Sequence, residues 1–348
     1  MSIRRRVCSF PTLVSLVLAA AFLIFLVTRF DLDLSATWSH IRESDPWLIA
    51  AALLVHYITF PFRGARWQRL LKNIHGQDHG QDHGQDHGQD RVAIPPVPSI
   101  NYCSQLVLLG WFANSVGWFR LGDAYRAYLY RQEQKASFSR TMGTLLAERI
   151  LDAVLVAALL LAATPFLIGA GNVSWIVAAV GVALVAGLMS ALLALVWARS
   201  LAARILPDWL SVRYQRFQDG TLGSFQKVPL LTLLGLLAWL AEVLRLYLVG
   251  SALGLDLSLP VAVYVALAGS LLTLAPTPGG LGVVESGTVG LLVRLSAIPV
   301  DAAAAVVVVD RSISYLSIIL VGAVLFLARQ VFRPAKTAVS PLGTTAER

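Results

Sequence analysis

The chain has 348 residues, of which 57% are hydrophobic and only 14% charged, and its mean hydropathy is +0.69. Soluble domains run near 45–50% apolar and about 25% charged, so a soluble globular protein is excluded and one integral membrane domain is expected. The 28 Lys and Arg outnumber the 20 Asp and Glu, giving net charge +8, an imbalance that fits nucleic acid, lipid phosphates or topology until position decides.

A bilayer crossing needs about 20 apolar residues, and runs near that length recur along the chain. The first, Thr12–Val27, follows Arg4, Arg5 and Arg6. Its only small-residue stretch lies inside the run rather than after it, so it reads as an uncleaved signal anchor. The second is Pro46–Phe62. Thr141–Ile168, Val173–Trp197, Val228–Gly250 and Asp301–Ala328 follow. Two further stretches are interrupted: Ile100–Phe119, and Pro260–Leu295, which a Pro-Thr-Pro-Gly-Gly sequence breaks at 276–280.

With the N-terminus placed in the cytoplasm, 23 of the 28 basic residues fall in inner segments. The excess is then an orientation signal of the positive-inside kind, and nucleic acid is not needed to explain it. The same count denies the two interrupted stretches a simple crossing. Residues 100–140 read as a re-entrant or in-plane hairpin from the cytoplasmic side. Residues 260–296 begin and end outside, as a re-entrant hairpin or two short spans. The expected fold is therefore all-α: a polytopic helical membrane protein of about six full spans plus two broken hairpins, over residues 1–332. Paired broken segments point to a midplane site between inverted repeats; a bundle with kinked helices is the alternative, and sequence similarity between the halves is too faint to choose. The expected location is the cell membrane, with both termini cytoplasmic.

Between Arg63 and Pro95 a His-Gly-Gln-Asp unit starting at His75 repeats four times. Gly at every fourth position disfavours helix and nothing fixes the His and Asp in a cage, so residues 75–95 are expected to be a disordered cytoplasmic loop and not a metal site. Residues 333–348 are expected to be a disordered tail. Cys8 and Cys103 make no redox or metal spacing, and Asp31 with Asp33 has no partner motif. No cofactor is expected.

Ionisable residues in apolar runs are costly and become candidates for function. The first group is Asn114, Arg120, Gly122, Asp123 and Arg126, where two arginines can grip a phosphate and the glycine lets backbone approach a ligand; a snorkelling loop is the plainer reading. The second is Glu148, Arg149 and Asp152, with the carboxylates i,i+4 on one helix face; a salt-bridge lock between helices explains it equally well. The third is Pro276, Pro278, Gly279, Gly280, Gly282 and Glu285. Proline and glycine stop the helix there and leave backbone polar groups that must line a cavity or be buried. A helix restarting near Gly282 aims N–H groups at the break, with Glu285 able to cap it. The fourth is Asp310, Arg311 and Tyr315. Glu242 and Arg245 form a similar couple, and both couples can be self-neutralised pairs. His56 reads as a hydrogen-bonded core residue. No GxxxxGK[ST], HExxH or GxSxG occurs, so neither nucleotide drive nor hydrolase chemistry is supported.

At these four groups, in order and over most of its length, the chain resembles the transmembrane region of bacterial lysylphosphatidylglycerol synthases, also called flippase-like membrane proteins. That pattern runs Asn, then Arg-x-Gly-acid and Arg; then Glu-Arg-x-x-Asp; then Pro-x-Pro-Gly-Gly-x-Gly-x-x-Glu; then a late Arg followed by Tyr. Here Trp118 stands where the family often has Pro, and Asp123 where Glu is common. The resemblance implies a lipid-handling domain, which in the full synthases is thought to flip an aminoacylated phospholipid made by a soluble C-terminal transferase domain. This sequence ends soon after its last apolar run, so lysyl transfer is not expected. Relatives lacking that domain are linked to glycolipid, polyprenyl-linked and hopanoid pathways. The expected partner is a membrane lipid, and a separate lipid-modifying enzyme is a second candidate. The leading expectation is a lipid translocator or binder. The alternatives are a membrane enzyme acting on a polyprenyl-phosphate or phospholipid, and a non-catalytic subunit of such an enzyme.

Overall fold

The computed structural model describes residues 34–81, 97–117, 121–169, 190, 207–275 and 277–332. The runs Thr12–Val27 and Val173–Trp197, the acidic pair Asp31 and Asp33, Arg120, Pro276 and the tail from 333 onward lie outside these. Among the described residues all regular structure is helical. The helices are α1 (Leu34–Arg42), α2 (Pro46–Gln81), α3 (Ile100–Val116), α4 (Gly122–Gln134), α5 (Phe138–Gly169) and α6 (Asp208–Leu222). They continue with α7 (Val228–Ala252), α8 (Leu259–Leu272), α9 (Val283–Ser296), α10 (Val300–Arg311) and α11 (Ser317–Phe332).

Four stretches are long and apolar enough to cross a membrane: Pro46–Ile74, Phe138–Leu167, Val228–Ala252 and Val300–Arg329. Each matches an expected span. The last is two helices joined without a break by a π-helical turn, Ser312–Leu316. Contacts at the helix ends give their directions. At one end Asp45 N–H bonds the Ala252 carbonyl, and the His40 ring lies 3.2 Å from Asp301. At the other end Asn73 donates to the carbonyls of Ser224 and Gln226, and Arg329 binds Glu133 and Gln105. So α2 and α10–α11 run one way and α7 the other.

The two interrupted stretches are helical hairpins. Helices α3 and α4 start and end near the Arg329 end, with Gly117 and Leu121 at their far ends. Helices α8 and α9, 14 residues each, start and end near Asp301. At about 1.5 Å per residue such helices reach roughly 21 Å, too short to cross a bilayer core of about 30 Å. The order span, hairpin, span thus occurs twice (α2, α3–α4, α5 and α7, α8–α9, α10–α11) in opposite directions.

Helix α2 is longer than its apolar run Pro46–Phe62: it continues to Gln81, with Arg63 3% and Arg66 0% exposed. The reason is periodicity. Arg63, Arg66, Trp67, Leu70, Leu71 and Ile74 recur at helical spacing and are all buried, so they form one inward face despite the two charges. The helix carries on through His75–Gln81; residues 82–96, the rest of the expected loop, lie outside the described residues.

Candidate functional site

The two hairpin tips approach each other at mid-height. Ser115, at the end of α3, accepts a 2.9 Å hydrogen bond through its carbonyl from the Tyr315 hydroxyl. The Tyr315 ring in turn covers Gly279, where a Cβ would collide with it. Beside this contact lies a cavity of about 200 Å³.

Each tip is built by local rules. In the first, the Asn114 carbonyl oxygen accepts from Gly122 N–H at 2.7 Å, so Asn114 caps the start of α4 from eight residues away. Gly122 then lies against the Gly110 carbonyl, where a Cβ does not fit. In the second, Gly279, Gly280 and Gly282 have φ of 59°, 72° and 90°, values that glycine alone adopts freely. Proline and this backbone end α8. Helix α9 restarts at Val283, and a Glu285 oxygen accepts from Gly282 N–H. The π-helical turn closes with Ser317 N–H on the Ser312 carbonyl, and such widened turns recur at functional sites.

The cavity wall takes Asn114, Asp123, Arg149, Gly279, Asp310, Arg311 and Tyr315 from the sequence-derived candidates. Arg126 and Glu148 stand behind it, each 1% exposed, and Asp152 is 5% exposed. Gly122, Gly280, Gly282 and Glu285 shape the two tips. Arg120 and Pro276 fall outside the described residues. The sequence reading missed Arg63, Arg66, Trp111 and Trp239. Arg63, Trp111 and Trp239 line the cavity, as do Glu242 and Arg245, the couple that resembles Asp310 and Arg311. The helical spacing of Arg63 and Arg66 with Trp67 was the signal that could have found the two arginines.

The charges form interlocked pairs. Arg66 donates to Asp152 at 2.8 Å and to Glu148 at 3.2 Å. Arg126 holds the other Glu148 oxygen at 3.2 Å and packs over Trp67. The Trp239 indole N–H also donates to Asp152. Arg149 reaches Asp123 at 3.1 Å and Asp152 at 3.3 Å. In the other half Arg245 binds Asp310 through two nitrogens, at 2.8 and 3.2 Å, and Glu242 as well. His56, fully buried, lies 3.1 Å from Arg245 through Nδ1. Arg311 donates to Glu285 at 2.6 Å and to the Gly279 carbonyl at 3.0 Å, under the Tyr315 ring.

These pairs repeat between the halves. Each last span carries an acid–arginine dipeptide: Glu148-Arg149 and Asp310-Arg311. In each half the acid binds an arginine of the first span, Arg66 or Arg245. The arginine binds an acid in the first turn of the second hairpin helix, Asp123 or Glu285. Together with the opposed hairpins, this equivalence identifies an inverted repeat.

The chain matches the family described as the lysylphosphatidylglycerol synthase TM region over residues 12–322. A UPF0104 membrane protein of Methanocaldococcus jannaschii is 32% identical over 62% of this chain and 93% of its own length. Another, of Methanothermobacter thermautotrophicus, is 28% identical over 81% of this chain and 83% of its own. The glycosyltransferase AglD of Haloferax volcanii is 23% identical over 90% of this chain, which spans only 54% of that protein. The chain belongs to the lysylphosphatidylglycerol synthase TM region family and is a lipid-related, multi-pass membrane protein.

Proposed function

We propose that the protein translocates or binds a lipid whose polar headgroup enters the mid-height cavity between the two inverted halves. One observation carries this reading: hairpins entering from opposite ends meet at a cavity walled by Arg63, Arg149, Arg245 and Arg311. A headgroup needs polar partners at a depth where lipid tails offer none. Here the arginines supply them, balanced by Asp123, Glu242 and Asp310. The repeat supplies two comparable ion-pair assemblies, one per half. Opening one while the other stays closed would expose the cavity to each side in turn. Of the sequence-derived candidates, Arg149 and Arg311 are in position to touch a headgroup, while Arg126 acts by holding Glu148. The cell membrane location and cytoplasmic termini, from the distribution of basic residues, belong to the same proposal.

The test is lipid movement in proteoliposomes with labelled phospholipids and glycolipids. Wild-type protein is expected to move at least one class faster than empty vesicles do, and Arg311→Ala to slow it by about tenfold or more. Wild-type rates equal to those of empty vesicles for every lipid would count against translocation. The AglD likeness favours a second reading, in which the domain presents a lipid to a lipid-modifying enzyme. Stoichiometric co-purification of such an enzyme, without lipid movement by the protein alone, would select it.

A further inference from the structure

We infer that Arg63 and Glu242 form a subsite for a lipid phosphate that carries a neighbouring hydrogen-bond donor, a hydroxyl or an ammonium. The inference rests on the lipid-binding reading and names the headgroup chemistry at that site.

Arg63 lies three residues before Arg66 on the first span of one half, and Glu242 three residues before Arg245 on the first span of the other. They are therefore equivalent positions of the inverted repeat, with opposite charge, facing each other where the halves meet. Arg63 is 3% and Glu242 7% exposed, and both line the cavity. The nearest approach is 3.6 Å, from Arg63 Nη2 to Glu242 Oε1, beyond a good hydrogen bond. Among the described residues Arg63 Nε and Glu242 Oε1 have no hydrogen-bond partner. The other Glu242 oxygen is taken by Arg245.

The Arg63 guanidinium sits 5.0 Å from the ring centres of both Trp111 and Trp239. The two rings hold the guanidinium and supply no acceptor, so its Nε is left without one. A loose 3.6 Å ion pair that leaves a buried donor on one side and a buried acceptor on the other without a hydrogen bond is costly in an apolar setting. A phosphodiester offers two oxygens to the fork. A hydroxyl or ammonium on the same headgroup satisfies Glu242.

The experiment is native mass spectrometry of the full-length protein in detergent, titrated with four lipids of identical chains. Phosphatidylethanolamine brings an ammonium donor and phosphatidylglycerol a hydroxyl. Phosphatidylcholine has the phosphate without a donor, and diacylglycerol has a hydroxyl donor without the phosphate. Wild type is expected to retain the first two above phosphatidylcholine, and diacylglycerol least. Arg63→Gln should lower retention of all three phospholipids about tenfold, the worth of a charge-assisted hydrogen bond. Arg63→Lys, which keeps the charge and loses the fork, should lower it less. Glu242→Leu, which leaves Arg245 on Asp310, should erase the preference over phosphatidylcholine. Unchanged phospholipid retention in monodisperse Arg63→Gln and Arg63→Lys, or no preference of wild type for phospholipid over diacylglycerol, would overturn the subsite. If this pattern holds but vesicles show no lipid movement, translocation fails and the subsite stands. If lipids move and Arg63→Gln neither binds nor moves them differently, the subsite fails and translocation stands.

Discussion

Arg311 donates through Nε to Glu285 at 2.6 Å, tying the last span to the first turn of the helix that restarts after the Pro-Gly break. Arg149 and Asp123 make the same connection in the other half at 3.1 Å. If these two pairs are equivalent gates, they should respond alike. Arg311→Gln and Glu285→Gln each leave one charge unpaired. The double variant is expected to melt higher than either single variant, with a coupling of about 0.5–3 kcal/mol. Arg149→Gln with Asp123→Asn should show the same sign. Thermal unfolding of the purified variants reads this directly.

Arg66 makes a stability prediction of a different size. It is fully buried and binds Asp152 and Glu148 together. Arg66→Ala would leave the two carboxylates with Arg126, Arg149 and the Trp239 indole, and removing one partner of a buried pair costs about 3–5 kcal/mol. A marked loss of thermal stability is expected. Arg213→Ala, on α6 against Trp209, should change the melting temperature little.

Gly279 is a steric test of the hairpin meeting. A Cβ there collides with the Tyr315 ring, and φ is already positive. Gly279→Ala is expected to displace Tyr315, lowering both melting temperature and lipid movement. Tyr315→Ala in the same chain should recover part of the stability by removing the clash. Tyr315→Phe keeps the ring and loses only the hydrogen bond to Ser115, so its stability cost is expected near 1 kcal/mol.

Asn114 has a narrower role. Its carbonyl oxygen caps Gly122 N–H, so Asn114→Ala should cost about 1 kcal/mol and Asn114→Asp, which keeps the acceptor, less. Comparing melting curves of the two variants separates capping from headgroup contact. If capping alone is at stake, lipid movement by Asn114→Asp stays at the wild-type level.

Much of this architecture was legible in the sequence. The two broken stretches were found because charge counting denied them a crossing, and the structure makes both of them hairpins. The Glu148, Asp152 and Arg149 cluster was found because charges are rare inside an apolar run. Arg63 and Arg66 were not found, for a physical reason. A hydropathy reading treats an arginine at the edge of a run as the start of a loop. Their neutralising partners, Glu148, Asp152 and Glu242, lie far along the chain. Only the fold brings them within range. The pairing of Glu242 and Arg245 as a local couple was incomplete for the same reason: Arg245 also holds Asp310, 65 residues on. The repeat itself escaped sequence comparison because it is conserved as a geometry of ion pairs, with Asp in one half where Glu stands in the other.

The central claim is that a headgroup passes through the cavity between the hairpins. Ser270, on α8, lines that cavity, and Ser270→Trp would fill a space of about 200 Å³ with an indole while leaving the ion pairs in place. The deciding measurement is lipid movement in proteoliposomes by wild type and a monodisperse Ser270→Trp protein at equal reconstitution. Wild type is expected to move lipid, and the variant to do so at a rate near that of empty vesicles. Equal rates for the two proteins would contradict it.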